Sequence, residues 1–299
     1  MCSSDLSSRY RRCTDSSSNL PEQLIDTYNL KVLALEFIVE EQVYHSYLKG
    51  SVTDLSKFYG MMRDGKLITT SLPTLKDADA LIREEFEAGN DVLYMGFDSA
   101  ISGTYDNMST YFERIRSEDY PDCKLECVDT KAAALGEGLF VLETVKLRDQ
   151  GMSLEETAEW ARNNRLTIAH WFTVEDLKYL QRGGRLSRGA AFAGSLLNIK
   201  PVLHVDDEGN LVPVEKVRGR KKSLQALVDK FAETASEPKD GQLVTISHGD
   251  SAEDAEYVRS QIAERFGVSD FIVNDLDPVI GAHSGPGTIA LFFITDKER

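Results

Sequence analysis

Four short stretches of this 299-residue chain gather the residue types that hold an anion: "TDSSSNLP" (14–21), "ITTSLPT" (68–74), "DSAISGTY" (98–105) and "GAHSGPGT" (281–288). Together they offer hydroxyls, backbone amides and one imidazole, His283, but no lysine. In the third stretch an apolar strand, "DVLYMGF", runs into a polar turn, and a helical pattern opens at "SGTY". The first four amides of a helix have no partner inside it, so a strand-to-helix turn of this kind tends to hold an anion. Hydroxyls and amides without lysine suit a carboxylate. Taken singly, each stretch is also ordinary turn chemistry, since Ser, Thr, Gly and Pro are turn residues.

Reactive chemistry has weaker support. The chain contains no phosphate-cradling Gly-Lys-Ser/Thr loop and no HExxH helix, and "GFDSAIS" is not the Gly-x-Ser-x-Gly elbow of esterases. Ser99 or Ser102 with His283 and Asp98 would supply the residue types of a nucleophilic triad, but no spacing demands it. The other histidines (His45, His170, His204, His248) fall at strand positions or edges and read as structural. Cys123 and Cys127 flank "KLE" with no histidine nearby to complete a zinc site. No metal or cofactor is expected.

The elements that must position these groups change character along the chain. Strands are expected at "KVLALEFIV" (31–39), "DVLYMGF" (91–97) and "CKLECVD" (123–129). Between them lie helices at 74–89, closed by a glycine, and after "SGTY", where Tyr105, Met108, Phe112 and Ile115 form an apolar stripe. A longer helix within 131–151 is expected to follow a cap at Asp129 or Thr130, and "SLEE" (153–156) is a capping box. Such alternation implies a mostly parallel sheet covered on both faces. In an open sheet of this type, the turns at the carboxyl ends of the strands gather into one crevice.

Past about residue 165 the expected strands are "LTIAHWF", "IKPVLHVDDEGNLVPVEKV" (a hairpin turning at "DDEGN"), "QLVTISHG" and "SDFIVN". Helices at about 173–182, 220–235 and 252–265 lie among them, and "RGGRLSRGAAFAG" reads as a loop passing into a small-residue helix. The expected fold class is therefore α/β in two domains. Residues 1–165 form an α/β domain with a mostly parallel sheet, and residues 166–299 form an α+β domain with a mixed sheet. At the amino terminus a helix is expected to start near Pro21, but "SSRYRRC" is too polar for the middle of a parallel sheet, which sets residues 1–12 apart.

Composition narrows the partners. The net charge is −15, which disfavours nucleic acid as the main partner, and no apolar run approaches the eighteen or so residues of a membrane span. Four cysteines and no apolar leader suit a reducing cytoplasm. Residues 162–222 hold twelve Lys and Arg against six Asp and Glu, a local +6 on an acidic chain, which marks either a docking surface or a face neutralised by its neighbours.

The ordered run "TDSSSNLP", "TTSLPT", "SAISGTY", "VDTKAAALGEG", "DLKYLQRGGRLSR", "LLNIKPVLHVDDEGNLVPVEKVRGRKKSL" and "AHSGPG" resembles the DegV family, bacterial fatty-acid-binding proteins, from about residue 13 to the end. The resemblance implies two α/β domains with a long-chain fatty acid in the cavity between them, its carboxylate at the loop ends. It also implies that the carboxylate is presented to a separate fatty-acid kinase, which makes an acyl phosphate for phospholipid synthesis. Carried over by motif, Thr70 and Ser102 match the carboxylate-binding hydroxyls and His283 the histidine beside them, with Ser99 and Gly103 completing the expected ligand-binding set. Arg182, Arg185 and Arg218 match basic positions near the opening that would dock the kinase. Asp98 stands where the family usually has serine, which puts a carboxylate near the expected headgroup. The resulting expectation is a carrier and not an enzyme. A serine-dependent acyl hydrolase using the same crevice is the alternative, and a carrier of another amphipathic carboxylate is a third reading.

Overall fold

The computed structural model describes residues 10–186 and 198–296. Residues 1–9, and the part of "RGGRLSRGAAFAG" from residue 187 on, for which a small-residue helix was expected, lie outside the described residues. Three sheets organise the chain. The first is parallel, in the order β2-β1-β6-β7, from β1 (Tyr10–Asp15), β2 (Lys31–Leu33), β6 (Asp91–Gly96) and β7 (Leu125–Asp129). The second is a small antiparallel sheet, β4-β3-β5, from β3 (Glu36–Val39), β4 (Gln42–His45) and β5 (Ile68–Ser71). The third has six strands in the order β10-β9-β8-β13-β11-β12: β8 (Ile168–Thr173), β9 (Ile199–Val205), β10 (Leu211–Arg218), β11 (Leu243–His248), β12 (Asp270–Asp275) and β13 (Ile289–Ile294). Only its β11–β12 pair is parallel.

The first half contains α1 (Glu22–Thr27), α2 (Leu55–Arg63), α3 (Leu75–Glu87), α4 (Thr104–Asp119), α5 (Ala134–Asp149) and α6 (Leu154–Asn164). The second contains α7 (Lys178–Arg182), α8 (Arg220–Thr234), α9 (Ala252–Phe266) and α10 (Pro278–Ser284). The Thr74 side chain caps α3, the stripe Met108, Phe112 and Ile115 buries one side of α4, and Ser153 with Glu156 forms the capping box of α6.

Several expectations are corrected. The polar amino-terminal strand is an interior strand of the parallel sheet, where Arg11, Arg12 and Thr14 each reach a partner although Nε and Nη1 of Arg12 stay buried without one. Arg11 pairs with the buried Glu85, the Arg12 guanidinium donates to the Tyr28 carbonyl at 2.7 Å, and Thr14 donates to Glu137. The run 31–39 is two strands: the chain leaves the parallel sheet after Leu33 and re-enters the small sheet at Glu36. Asp129 and Thr130 do not cap α5, which starts at Ala134 after Ala133. Asp129 instead accepts from the Ser99 hydroxyl and Lys131, while the Thr130 hydroxyl donates to the Gly96 carbonyl. The helix expected at 173–182 is only the short α7. β13 was not expected at all. Its "IALFFI" run is buried on both faces, so it lacks the alternation that marks a half-exposed strand.

Two glycines let α5 pack closely on both sides, Gly138 against the segment that follows β1 and Gly136 against the mixed sheet. A Cβ on Gly138 would lie 2.5 Å from the Ser18 carbonyl oxygen, and one on Gly136 would collide with His170 and Phe292. Helix α5 is buried on nearly every side between the sheets, which removes the amphipathic signal that a surface helix carries.

Candidate functional site

A cavity of about 190 Å³ opens between the carboxyl ends of the parallel strands and one face of the mixed sheet. From the first sheet come the segments that follow its strands: Leu35 after β2, Phe97 and Ile101–Gly103 after β6, and Ala133 with Ala134 after β7. This is the crevice that a parallel sheet creates at its carboxyl edge. The mixed sheet contributes alternate residues, His170 and Phe172 of β8 and Ala290 and Phe292 of β13, whose intervening neighbours face the core under α8 and α9. Helix α10 closes a further side with Val279, Ile280 and His283.

Most of the lining is apolar, and its polar groups are few. The Thr70 hydroxyl and His283 Nε2 are 2.8 Å apart, which joins the small sheet to α10. The Ser102 hydroxyl accepts from the Thr104 amide at 3.2 Å and lies 2.8 Å from the Thr104 hydroxyl. Ser102 and the adjoining Gly103 therefore set the amino terminus of the sixteen-residue α4 against the cavity, where the helix dipole favours negative charge. Arg185 also lines the cavity, its Nε donating to the Ile101 carbonyl at 3.1 Å. Burial holds the Arg185 guanidinium below its ordinary pKa. Burial first, and then the charges of Arg185 and Arg182, push the His283 imidazole down to about 4. Near neutral pH the wall thus carries the Arg185 cation, the neutral His283 imidazole, the Thr70 and Ser102 hydroxyls and a helix terminus, and Ser71 and Ser284 line the same cavity. Such a set can bind a carboxylate through charge-assisted hydrogen bonds.

Thr70, Ser102, Gly103 and His283 come together on this wall, although they are spread over more than 200 residues of sequence. His283 sits on helix α10, and the glycine-rich part of "GAHSGPGT" begins after it, at Gly285. Ser99 does not reach the cavity: its hydroxyl donates to Asp129 at 2.6 Å and accepts from Lys131 at 2.9 Å. Asp98 is also turned away. It accepts from the Ala100 amide, lies 3.9 Å from Lys131, and packs where a Cβ on Gly209 would strike it. Asp98 and Ser99 therefore do not form the imagined triad with His283, and Asp98 puts no charge on the headgroup wall. Arg182 and Arg218 are exposed, whereas Arg185 is part of the cavity wall.

The stretch "TDSSSNLP" turns its hydroxyls inward. Ser17 Oγ contacts both Asp15 and Glu137, and Ser16 bonds the Ser46 hydroxyl and the Leu35 amide. One hydroxyl proton shared between two carboxylates favours a proton on one of them. Burial accordingly raises Asp15 and drives Glu137 well above the usual carboxylate range. These groups brace the junction of β1 and α5 and hold no outside anion. Sequence reasoning also missed the place of His170 in the cavity wall. The available signal was its i, i+2 spacing with Phe172, which puts both on one face of a strand. Among the described residues, no group of three His, Cys, Asp or Glu is arranged to hold a metal ion. No helix among them is long and apolar enough to cross a membrane.

Comparison with known proteins bears on this geometry. A family model described as "Uncharacterised protein, DegV family" matches residues 13–296. A DegV domain-containing protein of Clostridium perfringens is 36% identical over 286 residues, covering 96% of this chain and 97% of the relative. Among solved structures, a fatty-acid-binding DegV family protein from Thermus thermophilus superposes with a TM-score of 0.82 at 28% identity, covering 96% of this chain and 99% of the other. The fatty-acid-binding protein DegV of Bacillus subtilis does so at 0.83 and 27%, covering 97% and 100%.

Proposed function

Because this chain belongs to the DegV family, we propose that it binds a long-chain fatty acid without transforming it, the acyl chain in the cavity and the carboxylate on the Thr70–Ser102–His283 wall. The observation that carries this reading is that one cavity has two chemistries: an apolar interior, and a single polar wall with a cation, a helix terminus and hydroxyls. Burying an acyl chain contributes about 0.8 kcal/mol per methylene. The polar wall compensates the carboxylate for the water it leaves.

The hydrolase reading has less support. His283 faces Thr70 and two arginines, and among the described residues no carboxylate contacts it to steady an imidazolium. Family membership further suggests that a separate kinase phosphorylates the bound carboxylate in trans, with the exposed Arg182 and Arg218 as contacts. Arg185 serves the headgroup in this reading and not the kinase.

Mass spectrometry of lipid extracted from the denatured protein tests the proposal, together with labelling by a serine-reactive fluorophosphonate. The expected result is near-stoichiometric fatty acid and no labelling. A different amphipathic carboxylate in the extract would favour the third reading. Loss of acyl-ester hydrolysis in Ser102→Ala, with labelling of the wild type, would favour the hydrolase.

A further inference from the structure

We infer that His170 and Phe292, held in place by Gly136, form a stop that sets the length of acyl chain the cavity accepts; this rests on the fatty-acid reading above. The two residues are register partners on β8 and β13, their rings meeting edge to face with centroids 5.0 Å apart. Both line the cavity and both are buried.

Their position along the cavity is set by β13. Thr288, Ala290 and Phe292 line the cavity at every second residue, so the cavity follows this strand. Thr288 bonds the Gly285 carbonyl just beyond α10, the helix that carries His283. Four residues of extended chain, about 13 Å, separate that end from Phe292. The His170–Phe292 pair therefore lies away from the polar wall, where a chain terminus would arrive.

The pair has little freedom to retreat. The Ala133 amide donates to His170 Nε2 at 3.3 Å, so the ring proton is on Nδ1, which faces the Ile168 carbonyl at 2.9 Å. With both nitrogens engaged by backbone, the imidazole offers the cavity carbon edges and no free donor, as a methyl terminus requires. Behind the rings stands α5, at its glycine. A Cβ on Gly136 would collide with His170 Nε2 and would lie 2.6 Å from Phe292 Cδ1 and 2.8 Å from His170 Cδ2, closer than real carbon contacts come. Gly136 thus lets the rings sit back against the helix. A side chain at this position drives them toward the cavity that both rings line.

The test is equilibrium binding of saturated fatty acids from ten to eighteen carbons to delipidated wild type, Gly136→Ala and Phe292→Ala. Each methylene that finds apolar room adds about fourfold in affinity, so each profile rises with length and breaks where room ends. Gly136→Ala is expected to break at least two carbons earlier than wild type, with ten-carbon binding kept within about twofold and the longest acids weakened tenfold or more. Phe292→Ala is expected to rise two or more carbons further, and it supplies the test if Gly136→Ala does not fold. A break at the same length in wild type and Phe292→Ala, or losses equal at every length, would overturn the stop while leaving fatty-acid binding intact. A wild type that binds no member of the series would overturn the fatty-acid reading and the stop with it.

Discussion

His283 has the residue type of a catalytic histidine in surroundings that suit binding. Burial and two nearby guanidinium groups push its pKa down to about 4. At pH 7 it is a neutral ring that shares a hydrogen bond with Thr70 while Arg185 supplies the positive charge. Two-dimensional NMR of the delipidated protein should show the His283 ring titrating near pH 4, and an added carboxylate should raise that midpoint by favouring the charged form. A midpoint near the ordinary 6.5, unmoved by fatty acid, would contradict the assignment. The sign for stability follows from the depressed value. Between about pH 6.5 and 4 the unfolded chain binds the proton that folded His283 refuses, so this residue weakens the fold as pH falls through that window.

At the scale of elements, α10 carries His283 and is anchored at its start by Asp277. The Asp277 side chain accepts from the Ile280 amide at 2.7 Å, and burial pushes its pKa up to about 7. Here the sign reverses: the folded state keeps a proton that the unfolded state releases between about pH 4 and 7. This contribution is fully present below about pH 4 and is lost as pH rises through 7. In the wild type the two residues of α10 oppose one another across pH 4–6.5. Asp277→Asn keeps a capping acceptor and removes the titration. Urea denaturation should find it more stable than wild type at pH 8 by about 2 kcal/mol or more. Its stability should also fall from pH 6.5 to 4, where the wild type stays comparatively level. Parallel curves for the two proteins would contradict the buried-acid account.

The elements also show what was legible in the sequence. The helices α3, α4 and α6 have stripes, caps and stops written in adjacent residues, and the structure has them where the sequence puts them. The strand β1 was misjudged because its polarity is met by Glu85, Tyr28 and Glu137, partners 16 to 123 residues away. β13 and α10 were missed or read as loop because continuous burial leaves no alternation and a seven-residue helix has little periodicity. Thr70, Ser102 and His283 were named through the motifs that carry them, and they line one cavity. Whether Ser99 and Asp98 reached the cavity depended on Lys131 and Asp129, which local spacing does not reveal.

For the whole molecule, charge is the long-range property. Much of the basic segment is internally matched: Arg162 pairs with Glu126, Lys178 with Asp176, Lys200 with Glu175, and Arg220 with Asp254. Arg182 and Arg218 remain exposed on a chain whose net charge is −15. If they dock a kinase, acyl-phosphate formation by a cognate kinase should slow as salt rises, because exposed charges are screened over about 8 Å at physiological ionic strength. Arg218→Glu should slow it about tenfold at low salt and leave lipid affinity within about twofold. Equal rates for wild type and variant at two salt concentrations would remove Arg218 from the interface.

The central claim is that the cavity holds an acyl chain and its polar wall holds a carboxylate. Isothermal titration of the delipidated protein with hexadecanoate and with hexadecanol, in wild type and Ser102→Ala, separates the two parts. A hydrogen bond to a charged group is worth roughly 1.5–3 kcal/mol. Hexadecanoate should therefore bind wild type at least ten- to a hundredfold more tightly than hexadecanol, and Ser102→Ala should lose most of that margin while keeping its affinity for the alcohol. Equal affinity of wild type for acid and alcohol, or an undiminished margin in Ser102→Ala, would contradict the account.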